Sequence, residues 1–287
     1  MKIMVVAPGS IYSTYDTYTY CLDALKRVNG DAETNGFDFH NIIRYHTSAR
    51  EKIFEDTKIQ FGSEVTDIIR SGRELVSEIF FTVPDFVLVI DGSKFPPMIY
   101  HSIKRLQAIM KPKFILACHI TESPYIDEVI DNYIKYFDVV FCNEKTDVAR
   151  QDPTDSKHVY YLPHSYSRDV HTPIGRKSDD AHDVFFCGTI YPERAKIISE
   201  TNWSGIDAKI CGTWALVEEG LEKTCFDHGV CFDEVMPNSE VAKNYRSSKI
   251  VINFGRTYGW TPDYEERITD ITNSYSVGPR VIEAIAC

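Results

Sequence analysis

Three apolar runs end in polar residues that can move protons. Asp91 closes "FVLVIDGS", His119 and Glu122 stand in "ACHITES" after an apolar stretch, and Asn143-Glu144 end "DVVFCNEK". A carboxylate or imidazole at the carboxyl end of a buried strand lies at the loop edge of an open α/β sheet, where it can deprotonate a hydroxyl or orient a bound group. His119 is the first choice for a base because an imidazole titrates near neutrality. Asp91 is the second. The plainer alternatives are a histidine satisfied inside the core and an aspartate that shapes a turn.

Other stretches carry further polar chemistry. "PGSIYSTYDTYTY" holds Gly9, Ser10, Tyr15 and Asp16 in a tyrosine-dense segment whose rings can stack on a sugar or base while the phenols hydrogen-bond. The alternative there is a capping loop in which Ser13 or Asp16 starts the next helix. "CFDHGVC" spaces Cys225, His228 and Cys231 closely but supplies no fourth ligand in a zinc-like pattern, and no D-x-D triplet occurs, so no metal site is expected. No complete G-x-G-x-x-G or P-loop is present, which argues against ATP-driven chemistry. The closing "SVGPRVIEAIAC" reads as a helix start, with Gly278-Pro279 as the break and Arg280 and Glu283 three residues apart, which is also the spacing of an ordinary surface pair.

The elements that must position these groups alternate. Residues 2–7 read as a strand and 16–28 as a helix; 37–45 reads as a second strand. Residues 64–80 form the clearest amphipathic helix, with Val65, Ile68, Ile69, Leu75, Val76, Ile79 and Phe80 on one face. "FVLVI", "FILAC" and "DVVFC" are continuous apolar runs suited to parallel strands covered on both faces, each of the last two preceded by a helical segment. The polar stretch after "VYYLP" is read as an interdomain connection, giving an N-terminal domain at 1–165, a linker at 166–182 and a second domain at 183–287. "DVFFCGT", "IDAKICG" and "KIVINF" then restart the strand pattern, with three or four strands expected. Strand and helix alternation predicts two doubly wound α/β layers with functional loops at the strand ends.

Composition narrows the class. The 287 residues include 43% hydrophobic and 25% charged side chains, as in globular proteins, with no apolar run of membrane-spanning length. Eight cysteines, several inside strand-like runs, suit buried reduced thiols and a cytoplasmic location. A net charge of −11 disfavours strong nonspecific nucleic-acid binding, though it leaves room for a local basic groove.

One ordered set of motifs carries a resemblance: "YLPHSYSRDVHTP", then "FCGT" and "PERAK", then "SEVAKNYRSSKIVINF", then "GPRVIEAIAC". Over residues 159–287 this set resembles the GT-B glycosyltransferases, most closely their spore-maturation-type branch (glycosyltransferase family 1/4-like). The first half matches in layout alone. The resemblance implies two Rossmann-like domains facing across a cleft, with a nucleotide sugar, most readily a UDP-sugar, held by the second. It assigns Gly188, Thr189, Arg194, Lys196, Asn253, Arg280 and Glu283 to the donor. Backbone amides at a helix N-terminus and a guanidinium suit a diphosphate, and Glu283 would accept hydrogen bonds from donor ribose hydroxyls. For Gly188-Thr189 a simple turn, and for Asn253 a turn cap, remain open.

On the same resemblance the first domain supplies the acceptor side, with Gly9, Ser10, Tyr15, Asp16, Glu122 and His164, and the base, His119 or Asp91. No metal or other cofactor would be required. The expected reaction passes a sugar to an acceptor hydroxyl. Two alternatives stand beside it: a bacteriophage-type enzyme that glycosylates hydroxylated bases in DNA, which makes DNA a candidate partner, and a noncatalytic protein that retains the fold. The second domain is expected to be incomplete at its C-terminal end, since family members continue beyond "RVIEAIAC".

Overall fold

The computed structural model describes residues 1–8, 15–60, 62–93, 95–150, 158–257, 259–260, 267–268 and 274–287. The chain divides into two compact units, the first running from Met1 to Pro163 and the second beginning at His164.

In the first unit β1 (Ile3–Val6) leads to α1 (Tyr15–Asn29), β2 (Thr34–Phe37), α2 (Phe39–Thr57) and α3 (Glu64–Thr82). There follow β3 (Phe86–Ile90), α4 (Pro97–Ile109), β4 (Ile115–Ile120), α5 (Asp127–Tyr133), β5 (Val139–Cys142), α6 (Lys145–Arg150) and β6 (His158–Tyr161). All six strands are parallel in the order β2-β1-β3-β4-β5-β6. The continuous apolar runs of β1, β3 and β4 are buried nearly throughout, as strands covered on both faces must be. Each fully buried side chain such as Leu116 or Ile90 contributes about 2–3 kcal/mol by leaving water.

The expected strand at 37–45 is a correction. The strand ends at Phe37, and a helix begins at Phe39 because Asp38 caps it: its carboxylate accepts from the Asn41 backbone N–H at 3.0 Å. Phe39 and Ile43 are then one turn apart and both buried, so the apolar pair reads at helical spacing. The helix faces α3, where the fully buried Asp67 accepts from Arg50 Nε at 2.8 Å and Thr47 Oγ1 at 3.2 Å.

The second unit contains β7 (Val184–Cys187), α7 (Pro192–Glu200), β8 (Ala208–Cys211), α8 (Glu219–Asp227), β9 (Cys231–Phe232), α9 (Asn238–Ser247) and β10 (Ile250–Val251). A short antiparallel pair, β11 (Gly259–Trp260) and β12 (Arg267–Ile268), and α10 (Pro279–Ala286) complete it. Its parallel sheet has the order β10-β7-β8-β9. Alternate residues of β7 serve opposite faces: Val184 and Phe186 pack with Ile198, Ile210 and Cys225, while Phe185 packs with Cys211, Val241 and Tyr245. The helix α10 rests on the latter side through Ala284 and Cys287. Before β7, Arg246 of α9 fixes the preceding segment by donating to the carbonyl oxygens of Val170, Thr172 and Arg176.

Among the described residues no helix is long and apolar enough to cross a membrane.

Candidate functional site

In the second sheet the strand order reverses beside β7. Its sequence successor β8 lies on one side and the last strand, β10, on the other. Such a switch point opens a crevice at the carboxyl ends of the strands, because the connections leave in opposite directions. Gly188-Thr189 follow β7 directly, and Asn253 stands two residues past β10.

Arg280 joins them. Its Nε donates to the Cys187 carbonyl oxygen at 2.9 Å and its Nη1 to Asn253 Oδ1 at 3.3 Å. The guanidinium carbon lies 4.4 Å from the centre of the Phe186 ring. Nη2 is turned toward Gly188, so closely that a Cβ there would collide with it. Two acceptors and an aromatic face thus set the plane of the guanidinium, the geometry that suits planar recognition of phosphate or carboxylate. The same residue occupies the second position of α10, after the cap Gly278 and Pro279. Pro279 has no N–H, and the amides of Arg280 and Val281, which no carbonyl of the helix can reach, add positive potential at the same helix end.

A second glycine supports the first. "CGT" occurs twice, at 187–189 and 211–213, and β7 and β8 pair Cys187 with Cys211 in register. Pairing continues past the strands: the Gly188 N–H donates to the Cys211 carbonyl oxygen at 3.0 Å and Ile190 N–H to that of Thr213 at 2.8 Å. Gly212 has φ +137°, and a Cβ on it would run into the backbone carbonyl of Gly188. The Thr213 and Thr189 hydroxyls are 3.4 Å apart. The Gly188 amide is therefore engaged in the sheet, and Gly188 serves the site through its missing side chain. The repeated "CGT" was the signal in the sequence for Gly212 and Thr213, which the motif reading passed over.

Arg194 has a different part. It is buried, and its three nitrogens donate to the carbonyl oxygens of Gly255, Thr189 and Phe254 at 3.2, 2.6 and 3.1 Å. It ties the loop after β7 to the loop after β10. Burial, and secondly the nearby Arg280 charge, lower its pKa to about 10. Arg256, also missed in the sequence, lies over the Tyr191 ring at 4.9 Å. Thus three arginines converge on one strand end of an acidic chain. Lys196 is exposed further along α7, and Glu283 is half-buried one turn beyond Arg280 on α10.

In the first unit the order reverses between β1 and β3, so its switch point lies beside Asp91. Asp91 is 1% exposed with φ +60°, a left-handed conformation that Asp tolerates better than most residues. Its carboxylate accepts from Ser93 Oγ at 2.9 Å and Tyr133 OH at 3.5 Å. His119, on the adjacent β4, is 5% exposed, and its carbonyl oxygen accepts from the Asp91 N–H at 2.9 Å. The structure brings these two candidates together at neighbouring strand ends. Asn143 and Glu144 are buried and hold turns, the first by donating to the Ser123 carbonyl oxygen and the second by accepting from the Thr146 N–H and hydroxyl. Glu122 is half-buried after β4, and His164 is half-buried at the start of the second unit. Asp16 is exposed in the first turn of α1, which Tyr15 opens; the Tyr15 side chain, Gly9 and Ser10 lie outside the described residues.

The thiol of Cys225 donates to the Ala195 carbonyl oxygen, and the His228 ring bonds that of Ser199. Among the described residues no group of three or more potential ligands could hold a metal ion.

No protein-family model matches the chain, and no curated protein matches it in sequence. In structure it is similar over its whole length to one described as "Trehalose-6-phosphate from E. coli bound with UDP-2-fluoro glucose", with a TM-score of 0.57, 9% identity and 81% of that chain covered. It is also similar to α,α-trehalose 6-phosphate synthase from Burkholderia multivorans, with a TM-score of 0.52, 13% identity, 99% of this chain and 81% of that one. The fold is GT-B. At these identities the likeness is one of fold, and within it the second GT-B sheet carries the Arg280 cluster at its switch point.

Proposed function

We propose that the chain is a glycosyltransferase that takes a sugar from a nucleotide-sugar donor, UDP-linked in the first instance, and passes it to an acceptor hydroxyl. The observation that carries this reading is the Arg280 guanidinium, oriented by Cys187 and Asn253 over the side-chain-free face of Gly188. A structural neighbour described with UDP-2-fluoro glucose supports the choice of donor. Placement in the spore-maturation-type branch rests on the ordered motifs alone.

In this reading Arg280 and the first turn of α10 bind the diphosphate and neutralise the charge that grows on the leaving group as the glycosidic bond breaks. Glu283, on the same helix, accepts from the ribose hydroxyls. Thr189 and Thr213 offer hydroxyl groups beside the phosphates. Arg194 braces the two loops and does not itself bind donor; Lys196 contributes only long-range charge. His119 or Asp91 takes the proton from the acceptor, with Glu122, His164 and the segment from Gly9 to Asp16 on the acceptor side. The chemistry needs no metal, because cationic side chains and a helix end supply the compensation.

Isothermal titration against UDP-, GDP- and TDP-sugars tests the proposal. Saturable binding of one family of donors supports it, and transfer to a hydroxyl acceptor separates an enzyme from a noncatalytic binder. Absence of binding by every donor contradicts it.

A further inference from the structure

We propose that Cys187 and Cys211 form a reversible dithiol–disulfide couple at the carboxyl ends of the two central strands of the second sheet. The two residues are in register on adjacent parallel strands, and both pack on the face of Phe185 and Tyr245. Neighbouring strands run about 4.8 Å apart, inside the roughly 4.4–6.8 Å span of Cα atoms that a disulfide bridges. Both thiols are free. Paired Cβ atoms on parallel strands begin near 5 Å, so the bond requires the strand ends to draw together by about 1 Å. A disulfide closed under such tension is easily reduced, which is the character of a switch and not of a structural staple.

The cysteines differ in reactivity. Burial raises the pKa of Cys21, Cys118, Cys142, Cys225, Cys231 and Cys287, and that of Cys211 rises beside Cys187 and through burial, its thiol donating to the Phe186 carbonyl oxygen at 3.4 Å. Cys187 alone is lowered, first by the neighbouring Cys211 thiol and then by the Arg280 charge. It is half-buried, so small oxidants can reach it. Hydrogen peroxide is the oxidant. The Cys187 thiolate attacks one peroxide oxygen, the O–O bond breaks, and sulfenic acid and hydroxide form. Cys211 then attacks that sulfur, and its proton leaves with the sulfenic oxygen as water while the S–S bond forms. Two thiols are oxidised and one peroxide is reduced to two waters.

The Cys187 carbonyl oxygen orients Arg280, and the missing side chain of Gly212 is what leaves room for the Gly188 carbonyl. Drawing the two strand ends together therefore displaces the guanidinium. This consequence rests on the donor-site reading; the couple itself does not.

The test treats the full chain with equimolar hydrogen peroxide, caps remaining thiols and maps the peptides by mass. The expected product is a Cys187–Cys211 crosslink that dithiothreitol removes. In Cys211→Ser, Cys187 accumulates as a sulfenic acid trapped by dimedone; in Cys187→Ser, residue 211 stays a thiol. A Cys187–Cys287 crosslink, or modification of Cys21 before Cys187, overturns the assignment, as does survival of both thiols. UDP affinity is measured on the same samples, with about tenfold weakening on oxidation and recovery on reduction expected. Equal affinity in both states overturns the switching role. Failure of the reduced protein to bind UDP contradicts the proposed function instead, and the peptide map still decides the couple.

Discussion

Arg280 donates through Nε to the carbonyl oxygen of Cys187 at 2.9 Å, reaching back 93 residues to the last position of β7. The contact fixes a charged group at the point where the second sheet changes direction. A charge-assisted hydrogen bond contributes about 1.5–3 kcal/mol, and here it sets the direction in which the remaining guanidinium edge is presented.

The two glycines should fail differently. At Gly188 an added methyl meets the mobile end of Arg280, whereas at Gly212 it meets backbone. Gly212→Ala is expected to lose about 3 kcal/mol of stability. Gly188→Ala should lose less stability but weaken UDP binding at least about tenfold. Urea unfolding and titration of each variant check the contrast; equal losses of stability would refute it.

Replacing Arg194 by Met leaves three carbonyl oxygens without their donor. A stability loss of about 3 kcal/mol is expected, with a smaller effect on UDP affinity than Arg280→Ala produces. Denaturation midpoints and titration separate bracing from ligand binding.

His171 gives a pH dependence. It is 1% exposed, and burial, with the Arg246 charge second, lowers its pKa from 6.5 to about 4. The unfolded chain therefore takes up a proton between these values that the folded chain refuses. Stability should fall as pH drops from 6.5 toward 4, by up to about 3 kcal/mol, and this contribution should level off below that. Unfolding curves across this range should be flatter for His171→Asn; an unchanged slope would rule the histidine out as the cause.

Strands were legible where burial on both faces leaves an uninterrupted apolar run, as in Phe86–Ile90. Phe37 to Tyr45 was misleading because its apolar residues also fit a helix, and the decision lies in the Asp38 cap. Motif order singles out Arg280 and Asn253, but their mutual contact is not local and no spacing reveals it. The resemblance assigns Arg194 to the donor; that its nitrogens meet three carbonyl oxygens is seen only in the fold. The repeated Cys-Gly-Thr was present in the sequence, yet its meaning depends on two strands being neighbours.

The proton acceptor is tested through rate. His119→Ala is expected to lower kcat by about 100-fold or more with little change in UDP affinity if the imidazole takes the acceptor proton. Asp91→Asn provides the competing test. Loss of kcat in Asp91→Asn with a normal rate in His119→Ala would transfer the role to the carboxylate.

The central claim is that Arg280 holds the donor diphosphate. Isothermal titration of UDP into the wild-type chain and into Arg280→Ala tests it most directly. Saturable one-to-one binding is expected in the first, with affinity at least about 30-fold weaker in the second and an unchanged unfolding midpoint. Equal affinities in the two proteins, or no UDP binding by the wild type, would contradict the account.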